Sequence, residues 1–145
     1  MDNLIKAKNI LKKNNYTFVL LANGKTVKVS HKRGIMAFME IIRDNKKIIE
    51  DSIIADKVIG KAAAMLAAQN KVKAIYAEIL SRKAKEVLDD YSIFCQYEYI
   101  VDFIQNRTKD DKCPMEKLTE HIIDPEIAYM QILQFYRKVL KIDLS

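Results

Sequence analysis

Only three glycines and two prolines punctuate the 145 residues, so each marks a place where the backbone has a special requirement. Cysteine and histidine are equally scarce, at two each. Two thiols in a chain of this kind are expected to stay free, and an isolated cysteine is first of all a small buried hydrophobe. Nowhere do the roughly 20 consecutive apolar residues of a membrane helix occur. The longest apolar runs, Phe18 to Ala22 and Ala62 to Ala68, are the size of a strand or a core helix. Met1 to Asn15 is too polar to supply the apolar region of a signal peptide. A cytoplasmic protein with no membrane association is expected.

What is present suits one domain, residues 1–145. Half the chain is apolar, enough for a core, and 30% is charged, enough for solubility. The net charge of +6 is uneven. Residues 1–47 carry 11 Lys/Arg against 3 Asp/Glu, and residues 48–145 carry 14 against 16. A basic N-terminal third suits a nucleic acid or another polyanion, or simply a solvated surface. Aromatic residues are poorly interleaved there and no nucleic-acid-binding motif is present.

The pattern alternates helices and strands. Leu4, Ala7 and Leu11 form an apolar stripe that predicts a helix over 2–14. Tyr16 to Leu21 reads as a strand, Asn23-Gly24 as a hairpin turn with positive φ, and Thr26 to Ser30 as the returning strand. Gly34 opens a second helix. Ser52–Ala55, Val72–Ile79 and Ile93–Tyr97 read as strands; Val58–Gln69 and Ser81–Asp90 read as helices, the latter with Ser81 as N-cap. Cys113-Pro114 and Asp124-Pro125 each start a further helix, proline taking the first helical position. This order predicts an α/β domain with a mixed sheet, its later strands parallel, and a helical tail from about residue 124.

Asn23-Gly24-Lys25-Thr26 resembles the end of a phosphate-binding loop, but Val19 stands where the first glycine is required and a strand follows, so it is read as a turn. Asp56 to Lys61 follows a strand and is expected to open a helix, the place where α/β sheets bind ligands. On that reading Lys57 and Lys61 share one helical face, Gly60 allows close approach, and free N–H groups attract an anion. The plainer reading makes Asp56 a cap and the lysines solvated. Glu78 and Ser81 end the next strand and would lie beside Asp56, where paired carboxylates can do acid–base work. Asn106-Arg107 sits in a polar segment, with the arginine's planar fork suited to carboxylate or phosphate.

Cys113-Pro114-Met115-Glu116 places a thiol at a helix N-cap, where the dipole and free N–H groups favour the reactive thiolate. Glu116 opposes this through its charge, unless it folds back onto backbone N–H groups. The alternative is an inert, packed cysteine. His31, His121, Cys95 and Cys113 match no metal-binding spacing, so no metal site is expected.

Together, Arg33-Gly34-Ile35, the run from Ala55 to Ala64, Tyr76 to Ser81, Asn106-Arg107 and Cys113 to Glu116 resemble a bacterial family known only as domain of unknown function 1893. The matches fall in the family's order and cover most of residues 16–130. The resemblance implies a three-layer, cytidine-deaminase-like fold, a mixed sheet between helices with a C-terminal helical tail. It does not imply deamination: the His/Cys–Glu and Pro-Cys-x-x-Cys zinc motifs are missing from both helix starts. Its implied site residues are Asp56, Lys57, Lys61, Ser81, Asn106, Arg107 and Cys113.

Three functions follow as expectations. The first is a cofactor-free enzyme, with Cys113, Asp56 and Ser81 catalytic, acting on a nucleotide-like or phosphorylated molecule held by Lys57, Gly60, Lys61, Asn106 and Arg107. The second is a non-catalytic or redox-sensing module built on the same pocket. The third is nucleic-acid binding through the basic third. The apolar stripe Tyr129, Ile132, Leu133, Tyr136, Val139 and Leu140 must cover a core or a second subunit, and a homodimer is expected.

Overall fold

The computed structural model describes residues 2–144; Met1 and Ser145, the ends of the expected unit, lie outside them. Among the described residues five strands form one mixed sheet: β1 (Phe18–Ala22), β2 (Lys25–Ser30), β3 (Ile53–Ile59), β4 (Ala74–Ser81) and β5 (Phe94–Val101), in the order β2-β1-β3-β4-β5. β1 runs antiparallel to both neighbours, and β3, β4 and β5 are parallel. The hairpin turn is as read: Asn23 and Gly24 have φ of 53° and 76°, the left-handed values that let β1 reverse in two residues.

Helix α1 (Asp2–Lys13) lies on one face of the sheet. Its Leu4, Ala7 and Leu11 pack on Val19, Leu21, Ile53, Ala55, Ala74 and Tyr76. Tyr76 is fully buried there, and its hydroxyl donates to Glu98 Oε2 at 2.6 Å, with Lys12 closing the network at 2.8 Å. The other face carries α2 (Met36–Asn45), α3 (Lys61–Gln69), α4 (Arg82–Asp90), α5 (Pro114–Thr119) and α6 (Pro125–Lys138) over the larger core. α3 is alanine-rich and buried on almost every side, so neighbouring helices approach it closely. α6 docks on it through Ala128, Ile132 and Tyr136, which makes the expected apolar stripe an internal contact; only its end, Val139 and Leu140, is exposed.

One boundary differs in a way that matters for the site. The helix expected from Val58 starts at Lys61, and β3 continues to Ile59. Val58 and Ile59 extend the ladder opposite Ile79 and Leu80, and β-branched residues suit that pleated position. Lys57 therefore sits on a strand, and Lys57 and Lys61 share no helical face. Gly34, with φ of 65°, precedes α2 by two residues.

Candidate functional site

The parallel strands end together, and α3 and α4 begin just beyond them. Gly60, in extended conformation, is the N-cap of α3 and offers no side chain to the free N–H groups behind it. The cap comes from elsewhere in the chain. Glu116 of α5 is buried, and its Oε1 accepts the Lys61 N–H at 2.9 Å. Its Oε2 accepts the Ile104 N–H at 2.8 Å. A Cβ on residue 60 would stand 2.8 Å from Glu116 Oε1 and 3.1 Å from Ile104 Cγ1. Gly60 thus permits close approach as expected, but the group that approaches is an internal carboxylate, which takes the position assigned to an external anion. Glu116 does not fold back on its own helix either: its N–H donates to Cys113 O, and its carboxylate serves a different one.

Outside this cap lies a small cleft of about 90 Å³, lined by Lys61, Lys83, Lys112, Phe103, Asp102, Glu116 and Glu120. Lys112 is paired with Glu120 at 3.0 Å and lies over the Phe103 ring at 5.6 Å. Asp102 pairs with Arg82 at 2.8 Å. The Lys61 ammonium donates to the Glu120 carbonyl at 3.1 Å and has no carboxylate within ion-pair distance among the described residues. Burial first, and then the Lys83 ammonium, lower its proton affinity. Lys83 pairs with the exposed Glu86 at 3.7 Å. Two weakly neutralised cations therefore stand near one another beside an aromatic ring.

Of the candidate site residues read from the sequence, Lys61 alone lines this cleft, with Gly60 next to it in the chain; Glu116, read as an influence on Cys113, lines it too. Lys57 reaches away to Asn15 Oδ1 at 2.6 Å, on the side of the chain where α1 ends. Asp56 is buried in mid-sheet opposite Phe18 and Ala77, and its Oδ1 accepts the Val58 N–H at 3.1 Å. It caps no helix. Burial pushes its carboxyl well above the usual range. Ala77, not Glu78, stands across from it, so the expected carboxylate pair does not form; alternation along β4 sends the neighbouring side chain to the opposite face. Ser81 is fully buried, and its Oγ accepts the Ala84 N–H at 3.1 Å, as expected of an N-cap.

Asn106 organises its own loop, donating to Asp110 Oδ1 and accepting the Asp110 N–H; Arg107 beside it is exposed. Cys113 is the N-cap of α5, half-buried, and its thiol makes no capping hydrogen bond. It stands close enough to Tyr136 that, after burial, it contributes to raising that phenol to about 12. Among the described residues no three His, Cys, Asp or Glu side chains converge to hold a metal, and no helix is long and apolar enough to cross a membrane.

The lysines of the basic N-terminal third are dispersed. Lys6 donates to the Gly24 carbonyl, Lys12 pairs with Glu98, and Lys28 and Lys32 share Glu40 on the α2 side.

Sequence reasoning missed Lys83, Lys112 and Phe103. One signal was available: lysine begins or nearly begins both helices that follow the parallel strands, and neither first turn contains an acid. Cations are disfavoured at that end of a helix dipole, so two of them there point to a purpose other than helix stability.

The family model for domain of unknown function DUF1893 (TM1506) matches residues 6–136. The chain belongs to the DUF1893 family. A solved structure of a DUF1893 family protein from Thermotoga maritima is similar to it, with a TM-score of 0.85 and 25% identity over 92% of this chain and 90% of that one. No curated protein matches. In this DUF1893 chain the segments that resemble the family, Ala55 to Ala64 and Cys113 to Glu116, are the two that meet at the Gly60–Glu116 contact.

Proposed function

We propose that this DUF1893 chain is a non-catalytic binding module for a small anionic molecule, phosphorylated or nucleotide-like, taken up beyond the carboxyl ends of β3 to β5. The observation that carries the reading is the Lys61 ammonium. It is partly desolvated and repelled by the Lys83 charge, and although the charges of Glu116, Glu86 and Glu120 act on it, no carboxylate among the described residues lies within ion-pair distance. An anion between the two lysines removes their mutual repulsion, and the Phe103 ring offers a flat apolar wall for a base or ring. The site's position agrees with the rule that α/β sheets bind ligands beyond their strand ends. The deaminase-like reading of the fold belongs to the same proposal, supported by the mixed sheet with helices on both faces.

A cysteine enzyme has less support. Asp56 and Ser81 are buried and hydrogen-bonded within the fold, and the Cys113 thiol has no base in hydrogen-bond contact among the described residues. Calorimetric titration separates the readings. Nucleoside monophosphates are expected to bind, neutral nucleosides are not, and Cys113→Ser is expected to leave binding intact. Equal binding of neutral nucleosides, or loss of binding in Cys113→Ser, contradicts the proposal.

A further inference from the structure

We infer that β5 is the docking edge for β5 of a second copy of this chain, paired antiparallel about a two-fold axis to give a continuous sheet through the dimer. This inference is independent of the cleft.

The two edges of the sheet are built differently. β2 reads Lys-Thr-Val-Lys-Val-Ser, and its lysines are the residues that keep an open edge from recruiting another strand. β5 reads Phe-Cys-Gln-Tyr-Glu-Tyr-Ile-Val, with no lysine, proline or glycine. Its one charge, Glu98, is already engaged by Tyr76 and Lys12 of the same chain. Phe94, Tyr97 and Tyr99 are nevertheless exposed, by 51%, 36% and 65%. Eight extended residues offer about 27 Å of edge, whose outward N–H and C=O groups have no strand beside them among the described residues. Such an edge is normally paired or guarded, and β5 is neither.

Charge identifies the occupant. α4 lies on the sheet beside β5, and its charges are segregated along its length. Its first four residues hold Arg82, Lys83 and Lys85; its last five hold Glu86, Asp89 and Asp90. A two-fold axis perpendicular to the sheet, midway between the two β5 strands and level with their centres, sets the two copies of α4 side by side and antiparallel. Strands about 4.8 Å apart bring these helices to about 10 Å, an ordinary packing distance. Lys85 and Asp89 are 2.8 Å apart within their own helix, and about this axis the basic half of each helix faces the acidic half of the other, so each pair is extended by the opposite charges of its counterpart. A parallel arrangement would set like charges together. One patch of surface thus complements itself, as a two-fold interface requires.

Sedimentation equilibrium of the full chain tests this. The wild type is expected at twice its 16.8 kDa mass. Tyr99→Lys, which changes an exposed side chain, is expected to give the monomer mass with an unchanged circular dichroism spectrum. Lys85→Glu is expected to weaken dimerisation about tenfold, because two symmetric contacts become repulsive, and adding Asp89→Lys is expected to restore it. A wild-type mass of 16.8 kDa at every concentration overturns the inference and leaves β5 to a different chain. A dimer indifferent to Tyr99→Lys and to the charge exchange also overturns it, because the interface then lies elsewhere.

Discussion

Gly60 and Glu116 are 56 positions apart in sequence and in contact in space: the carboxylate of one fills the volume that a β-carbon on the other would need. The contact ties the N-terminus of α3 to α5 and, through Ile104, to the segment that follows β5. A buried carboxylate is tolerable there because two backbone N–H groups and the positive end of α3 surround it. The same contact shapes the floor of the cleft, so stability and binding are linked at this point.

Gly60→Ala is therefore expected to destabilise the fold by about 1–3 kcal/mol, the usual cost of overpacking, although residue 60 has a φ that any residue adopts. Glu116→Gln is expected to cost about as much. Its amide can accept one of the two N–H groups but must turn a donor toward the other. Urea unfolding midpoints measure both. A midpoint within error of wild type for either variant contradicts the capping role.

Asp56 gives a pH dependence of definite sign. Burial raises its carboxyl above the unfolded value, so the folded chain holds this proton more tightly than the unfolded one. The associated stability is fully present below the unfolded carboxylate range and is lost as pH rises toward the folded value. Asp56→Asn keeps the shape and removes the ionisation. It is expected to raise the unfolding midpoint at pH 8, with little change at pH 4. A variant destabilised at pH 8 would show that the ionised carboxylate contributes favourably in the native state.

The two thiols provide an internal comparison. Burial pushes Cys95 up to about 12, which leaves almost no thiolate at neutral pH. Cys113 is half-buried at the start of α5. Iodoacetamide labelling followed by peptide mass spectrometry is expected to modify Cys113 well before Cys95 at pH 7.5. Equal rates would mean that local opening, not the static fold, controls access to both.

Much of the fold was legible because local chemistry and tertiary structure agree. Asn23-Gly24, Ser81, Cys113-Pro114 and Asp124-Pro125 mark their boundaries by backbone requirements that act over a few residues. The boundary at Lys57 to Gly60 was not legible in the same way. Val58 and Ile59 join an alanine-rich helical run without a break in apolarity, and only the parallel ladder to β4 decides that they are strand. The misplaced boundary also misplaced the site, because it put Lys57 beside Lys61. Glu116 escaped for a different reason. Its partner Lys61 lies 55 residues away, whereas a capping pattern in sequence reaches only three or four. Lys83, Lys112 and Phe103 come from three separate segments that only the sheet brings together.

The most direct measurement is the thermal shift given by inorganic phosphate and by a nucleoside monophosphate, compared between wild type and the Lys61→Ala, Lys83→Ala double variant. At a ligand concentration one hundred times the dissociation constant, binding stabilises the native state by about 2.7 kcal/mol. For a chain of this size that corresponds to an increase in Tm of roughly 5–11 °C. The wild type is expected to show a shift of this order with the phosphorylated ligand, and the double variant, folded at its own baseline Tm, to show none. An undiminished shift in the double variant, or no shift in the wild type with any phosphorylated ligand, would contradict an anion site at Lys61 and Lys83.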